Sequence, residues 1–171
     1  MKSIFLVVLF SASAFAQSQS PSLTSACGPK NVTFSAKEAT TSLDLALPAS
    51  GKAAVYFIQD DGQYGDEQHY TVKIGLDGAW VGAYRDNAFF ALNVEPGEHH
   101  ICANVQSNFN PGLLFAFAHF TAEPGKVYYF RTRFLGQIGH TSTSLNLDQP
   151  DSDEAKYLIA TYPTSISKPN K

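Results

Sequence analysis

Cys27 and Cys102 are the residues of this 171-residue chain best suited to form a covalent cross-link. In an oxidising compartment two such thiols are expected to pair. The bridge would close a loop of roughly 75 residues and contribute about 4 kcal/mol at most through chain entropy. Two unpaired thiols are the alternative. Next to Cys102, His99 and His100 complete a short run of zinc-ligand types. Strand alternation, however, puts His100 and Cys102 on one face and turns His99 away. A bridged Cys102 also has no thiolate to offer, so histidines flanking a sheet edge or turn are the plainer reading.

Asp60, Asp61, Asp66 and Glu67, in a segment that also holds Gln63 and Tyr64, gather carboxylates of the kind calcium uses. The spacing is not that of an EF-hand, and a solvated acidic loop accounts for them more simply. No metal or cofactor is therefore expected. Tyr64, Trp80 and Tyr84, near hairpin loops, are candidates for a binding surface that stacks on sugar rings or peptide side chains. Core packing is the competing use, because Trp80 and Tyr84 share a face with Gly82 if the strand alternates regularly. Arg131 and Arg133 also share a face. They could clamp an anion, although pairing with Asp or Glu across a sheet is the commoner role. The stretch from Phe109 to Phe115 is more apolar than a solvent loop should be, which suits either a buried strand entrance or a partner contact. No G-x-S-x-G, H-E-x-x-H or phosphate-binding glycine loop occurs, and no catalytic residue is assigned.

The elements that must position these groups read as strands. Tyr70, Val72, Ile74 and Leu76 alternate with His69, Thr71, Lys73 and Gly75, the pattern of a strand with one dry and one wet face. Further strands are expected at Asn31 to Phe34, Ala53 to Ile58, Ala79 to Tyr84, Phe89 to Val94, His99 to Val105, Leu114 to Thr121, Val127 to Phe134 and Ser142 to Leu147. Asp77-Gly78 tolerates the positive φ angles of a two-residue hairpin. Glu95-Pro96-Gly97 and Glu123-Pro124-Gly125 each set Pro and Gly as a type II turn requires. Only Ser152 to Ala160 argues for helix, with an acidic first turn at Asp153 and Glu154 and Pro163 beyond its end. The expected fold is all-β: an antiparallel two-sheet β-sandwich of about eight or nine strands with one short C-terminal helix.

Lys2, the apolar run Ile4 to Phe10 and Ala14-Phe15-Ala16 have the order of a secretory signal, with cleavage expected before Gln17. Residues 1–16 are thus expected to be a signal peptide, 17–26 a flexible leader and 27–171 a single domain. Leu23-Thr24-Ser25-Ala26-Cys27 has some features of a lipoprotein cleavage box, which would make Cys27 a lipidated N-terminus. The polar stretch Gln17 to Ser22 separates it from the apolar run such processing needs nearby. The formal charge is −3, and loss of Lys2 makes it more negative. That balance gives no basic field for nucleic acid, and no transmembrane helix is expected.

The segments Ala54-Val55-Tyr56-Phe57-Ile58, Val72-Lys73-Ile74 leading to Leu76-Asp77-Gly78, and Val94-Glu95-Pro96-Gly97-Glu98-His99 resemble an uncharacterised bacterial family, domain of unknown function 2846. Phe120 to Arg131 and the acidic helix start continue the resemblance, which runs from about Ala53 to Ala160. A looser likeness is to the PEGA-type surface modules. The first resemblance implies an envelope protein, in many relatives a lipoprotein, and carries no activity, cofactor or catalytic residue with it. The expectation is an exported, periplasmic or secreted, non-catalytic protein that binds an envelope protein or glycan. A small exported enzyme without a visible motif and a carbohydrate-binding module are the alternatives.

Overall fold

A computed structural model describes residues 26–40, 47–61, 70–106, 114–136 and 144–170. Among them are ten strands and one helix: β1 (Phe34–Glu38), β2 (Ala53–Gln59), β3 (Thr71–Leu76), β4 (Ala79–Arg85), β5 (Ala88–Val94), β6 (Gly97–Gln106), β7 (Phe115–Ala122), β8 (Val127–Leu135), β9 (Ser144–Asp148), α1 (Ser152–Thr161) and β10 (Ser165–Pro169). Two four-stranded sheets, in the orders β5-β2-β8-β9 and β4-β3-β6-β7, pack face to face. A separate two-stranded ribbon joins β1 to β10. The expected β-sandwich with its C-terminal helix is therefore present. No described helix is long and apolar enough to cross a membrane.

The sandwich interior is built by period-two alternation. Val55 and Phe57 from one sheet meet Val72, Ile74 and Ile101 from the other, with Phe130 and Tyr84 completing the dry layer. β2 is buried along its whole length because its second face is also covered. Ala54, Tyr56 and Ile58 pack beneath Ala155, Leu158 and Ile159 of α1. The helix starts where Asp151 Oδ1 accepts the Asp153 N–H at 2.8 Å, a cap that the acidic first turn reinforces.

One pairing departs from the antiparallel expectation. β2 and β8 run parallel, with Tyr56 opposite Tyr129, which requires a long crossover. The intervening chain supplies it by visiting the other sheet as β3 and β4, returning as β5, and leaving again as β6 and β7. A second departure is β10, which is not among the expected strands. Its Ser165 and Ser167 side chains bond the backbone of Ala83 on edge strand β4, at 3.0 and 2.9 Å. Those hydroxyls occupy polar groups that an exposed edge would leave open. β1 begins at Phe34, the last residue of the strand expected at Asn31 to Phe34.

The Asp77-Gly78 hairpin joins β3 to β4 as expected, with φ of 51° and 85°. Asp77 does more than turn: its Oδ1 accepts the His100 N–H at 2.8 Å, locking the hairpin to β6. Gly97, where β6 begins, has φ 137°, and a Cβ there would meet nothing within 4 Å. Gly97→Val is therefore expected to cost roughly 1–3 kcal/mol through backbone conformation alone, read as a lower urea midpoint. An unchanged midpoint would show that this turn accepts a side chain.

Candidate functional site

The outer face of the β4-β3-β6-β7 sheet carries the site. Strand alternation sends Lys73 and Gly75 of β3, Cys102, Asn104 and Gln106 of β6, and Phe115 and Phe117 of β7 away from the interior. Trp80 joins them through an irregularity. Ile74 pairs with Gly82 but Gly75 pairs with Trp80, so Val81 is an extra residue, a β-bulge. The bulge breaks the parity between positions 80 and 84. Tyr84 stays inside, fully buried against Phe90 and bonded through its hydroxyl to Thr132 Oγ1 at 2.9 Å. Trp80 turns to the outer face. The two aromatics read as sharing one face thus lie on opposite sides of the sheet, and Tyr84 offers no surface to a ligand.

The N-terminal segment from Ala26 to Thr33 crosses this outer face. Cys27 and Cys102 lie at disulfide distance, with Cα atoms 5.2 Å apart. Trp80 Nε1 donates to Pro29 O at 2.8 Å, and Lys73 Nζ donates to Val32 O at 2.8 Å. Ala26, the last residue of the expected leader, is buried, and its carbonyl accepts the Gly78 N–H at 3.2 Å. Two glycines let the arm lie this close. A Cβ on Gly75 would stand 2.8 Å from Ala26 O, and one on Gly28 would stand 2.7 Å from Trp80 Cγ. Gln106 fixes the arm's far end, donating to Phe34 O at 2.8 Å and accepting the Phe34 N–H at 2.7 Å.

Between this arm and β7 lies a groove of about 540 Å³, lined by Cys27, Lys30, Lys73, Trp80, Phe115 and Phe117 among others. That volume is in the range of small-molecule sites. Phe115 and Phe117 are stacked 6.0 Å apart, tilted by only 4°, and each is more than a third exposed. Lys73 is buried beneath the arm, with its ammonium 4.2 Å from the centre of the Trp80 ring. Burial pulls its pKa below the ordinary lysine value, since the charged form loses hydration. Trp80 itself is a clamp on the arm rather than an open platform. The freer aromatic surface belongs to Phe115 and Phe117, of which only Phe115 falls in the apolar stretch the sequence singled out.

The remaining sequence candidates are dispersed. Tyr64, Asp66, Glu67 and the stretch Phe109 to Leu113 lie outside the described residues. Asp60 and Asp61 diverge: Tyr162 donates to Asp60 at 2.7 Å, while Asp61 accepts from Gln59 Nε2 at 2.5 Å and donates its backbone N–H to Asn87 Oδ1. His99 faces acceptors on both ring nitrogens, Asp77 Oδ2 at 2.6 Å and Glu95 O at 2.7 Å. Burial alone would lower its pKa, but these two acceptors outweigh it and raise the value. Among the described residues no three His, Cys, Asp or Glu side chains gather around one point fit for a metal ion. Arg131 is wholly engaged with carboxylates, holding Asp148 Oδ2 at 2.7 Å and also bonding Glu154. The network ties α1 to β8 and β9. Arg133 lies 3.6 Å from the same Asp148 carboxylate.

A family described as a protein of unknown function, DUF2846, matches residues 49–142. The match takes in β2 to β8 and stops short of α1, to which the sequence resemblance extended. The groove's floor, from Lys73 to Phe117, lies within it, whereas Cys27, Gly28, Lys30 and Thr33 lie before it. No curated protein and no solved structure matches the chain.

Just beyond the C-terminal end of β2, Asp61 is a half-buried acid whose pKa is pushed up to about 6 by burial first and by the nearby Asp60 and Asp86 charges, against the lowering effect of its hydrogen bond from Gln59. Among the described residues Asp61 Oδ1 and Gln59 Oε1 both lack hydrogen-bond partners. The folded state therefore holds the proton more tightly than the unfolded chain. No penalty exists below pH 4, and stability falls as pH rises through about 6. The penalty should reach roughly 2–3 kcal/mol. Asp61→Asn is expected to gain on the unsubstituted protein by that amount between pH 4 and 7.5 in urea unfolding; a pH-independent difference would contradict the assignment.

Proposed function

Because this chain belongs to the DUF2846 family, whose description names no activity, we propose that it is an exported, non-catalytic module that binds an envelope component in the groove between its N-terminal arm and β7. The observation that carries this reading is the groove itself: a stacked aromatic pair faces a buried lysine, beneath an arm fixed at Cys27. A cysteine pair at bonding distance suits an oxidising compartment, which supports export to the periplasm or beyond the cell. The arm's anchorage then depends on where the protein works, because reduction would release the segment that walls the groove.

Trp80 is the single tryptophan of the chain and lines the groove, so its emission reports occupancy without a label. Oxidised protein titrated with envelope extract separated into protein, glycan and lipid fractions is expected to show a saturable emission change with one of them. Cys27→Ser is expected to lose up to about 4 kcal/mol of stability under oxidising conditions and to weaken that response. Emission indifferent to every fraction, together with turnover of a screened substrate, would replace the binding reading with an enzymatic one.

A further inference from the structure

We propose that the groove takes a small amphiphile: a hydrocarbon body lying along Phe115 and Phe117, and a single carboxylate set against the Lys73 ammonium. This inference rests on the binding reading above and names its ligand class.

The cationic end is argued from Lys73. An ammonium has three N–H donors, and here one of them is used by Val32 O, with the Trp80 ring as the other stabilising neighbour. Among the described residues no carboxylate lies within ion-pair reach of Lys73. A buried charge ordinarily has such a partner. Among the described residues the only other charged side chain lining the groove is Lys30, also a cation. A chain that is net negative thus presents a locally positive groove, and a ligand of the opposite sign would supply the missing counter-charge. Burial also depresses the Lys73 pKa, a shift that a bound anion would reverse.

The number of charges follows from the cations that line the groove. Asn104 Nδ2 is committed to Leu114 O at 3.1 Å and Gln106 Nε2 to Phe34 O. Each amide keeps its second N–H, but neither carries charge; Lys30 is exposed, so among the described residues Lys73 is the one buried cation lining the groove. One buried ammonium matches one carboxylate. The other end of the ligand is set by Phe115 and Phe117, whose stacked rings stand more than a third exposed on an edge strand. Apolar surface of this kind gains by being covered.

The test uses oxidised, full-length protein and three probes that share one tail, below their micelle concentrations: dodecanoate, dodecanol and dodecyltrimethylammonium. Trp80 emission and calorimetry are the readouts. Dodecanoate is expected to bind one to one and about tenfold or more tightly than dodecanol, the gain of one charge-assisted contact; the ammonium probe should be weakest. Lys73→Met should erase the preference while leaving dodecanol unchanged, and Phe117→Ser should weaken both. Equal affinity for all three head groups would overturn the carboxylate assignment while leaving groove binding intact. No binding of dodecanoate would overturn the inference itself, leaving the envelope-fraction titration to judge the wider reading. The head-group comparison needs no variant, so it decides even if Lys73→Met misfolds.

Discussion

The chain's N-terminal arm lies across the outer face of a β-sheet, and the character of that face follows from this one placement. Without the arm, Lys73 would be an ordinary lysine on a wet face and Trp80 an exposed aromatic beside a hairpin. With it, the lysine is stripped of water, the indole becomes a clamp, and a groove opens toward β7. The contact is a matter of backbone approach: Gly28 and Gly75 meet the opposite layer where no side chain would fit. Cys27 and Cys102 lie at the centre of this contact.

The protein keeps its polar chemistry apart from its interior in two different ways. On the helical side, Arg131 is buried but matched by Asp148 and Glu154, with Asp60 3.7 Å away. That network orients α1 over β2. On the groove side, Lys73 is buried with a carbonyl and an aromatic ring and, among the described residues, without a carboxylate. The same physical cost, desolvation of a cation, is offset by the fold in one place and left partly open in the other. That contrast separates a structural ion network from a candidate binding site.

Local signals in the sequence carried most of the fold. Asp77-Gly78 is a turn wherever it occurs between alternating runs, and β2 to β9 follow from period-two patterning within a few residues. Ser152 to Ala160 was legible as helix from its acidic start and the proline beyond it. What escaped was non-local. β10 is a short segment ending in proline whose partner, β1, lies at the other end of the chain, so nothing nearby marks it as a strand. The Val81 bulge leaves no trace in composition, yet it reverses Trp80 relative to Tyr84. Lys73 reads as a wet-face residue because the arm that buries it comes from about forty positions earlier. Of the candidate site, Trp80 and the cysteines were visible in advance, whereas Lys73 and Phe117 became candidates only through tertiary contact.

The most direct measurement of this account is hydrogen exchange at the Trp80 indole, a single resonance in a chain with one tryptophan. Its Nε1–H is bonded to Pro29 O in the arm, so exchange should be slow in the oxidised protein and should accelerate by orders of magnitude when Cys27 and Cys102 are reduced while the sandwich stays folded. Equal exchange in both redox states, with the sheet amides still protected, would mean that the cysteine pair does not hold the arm against the sheet.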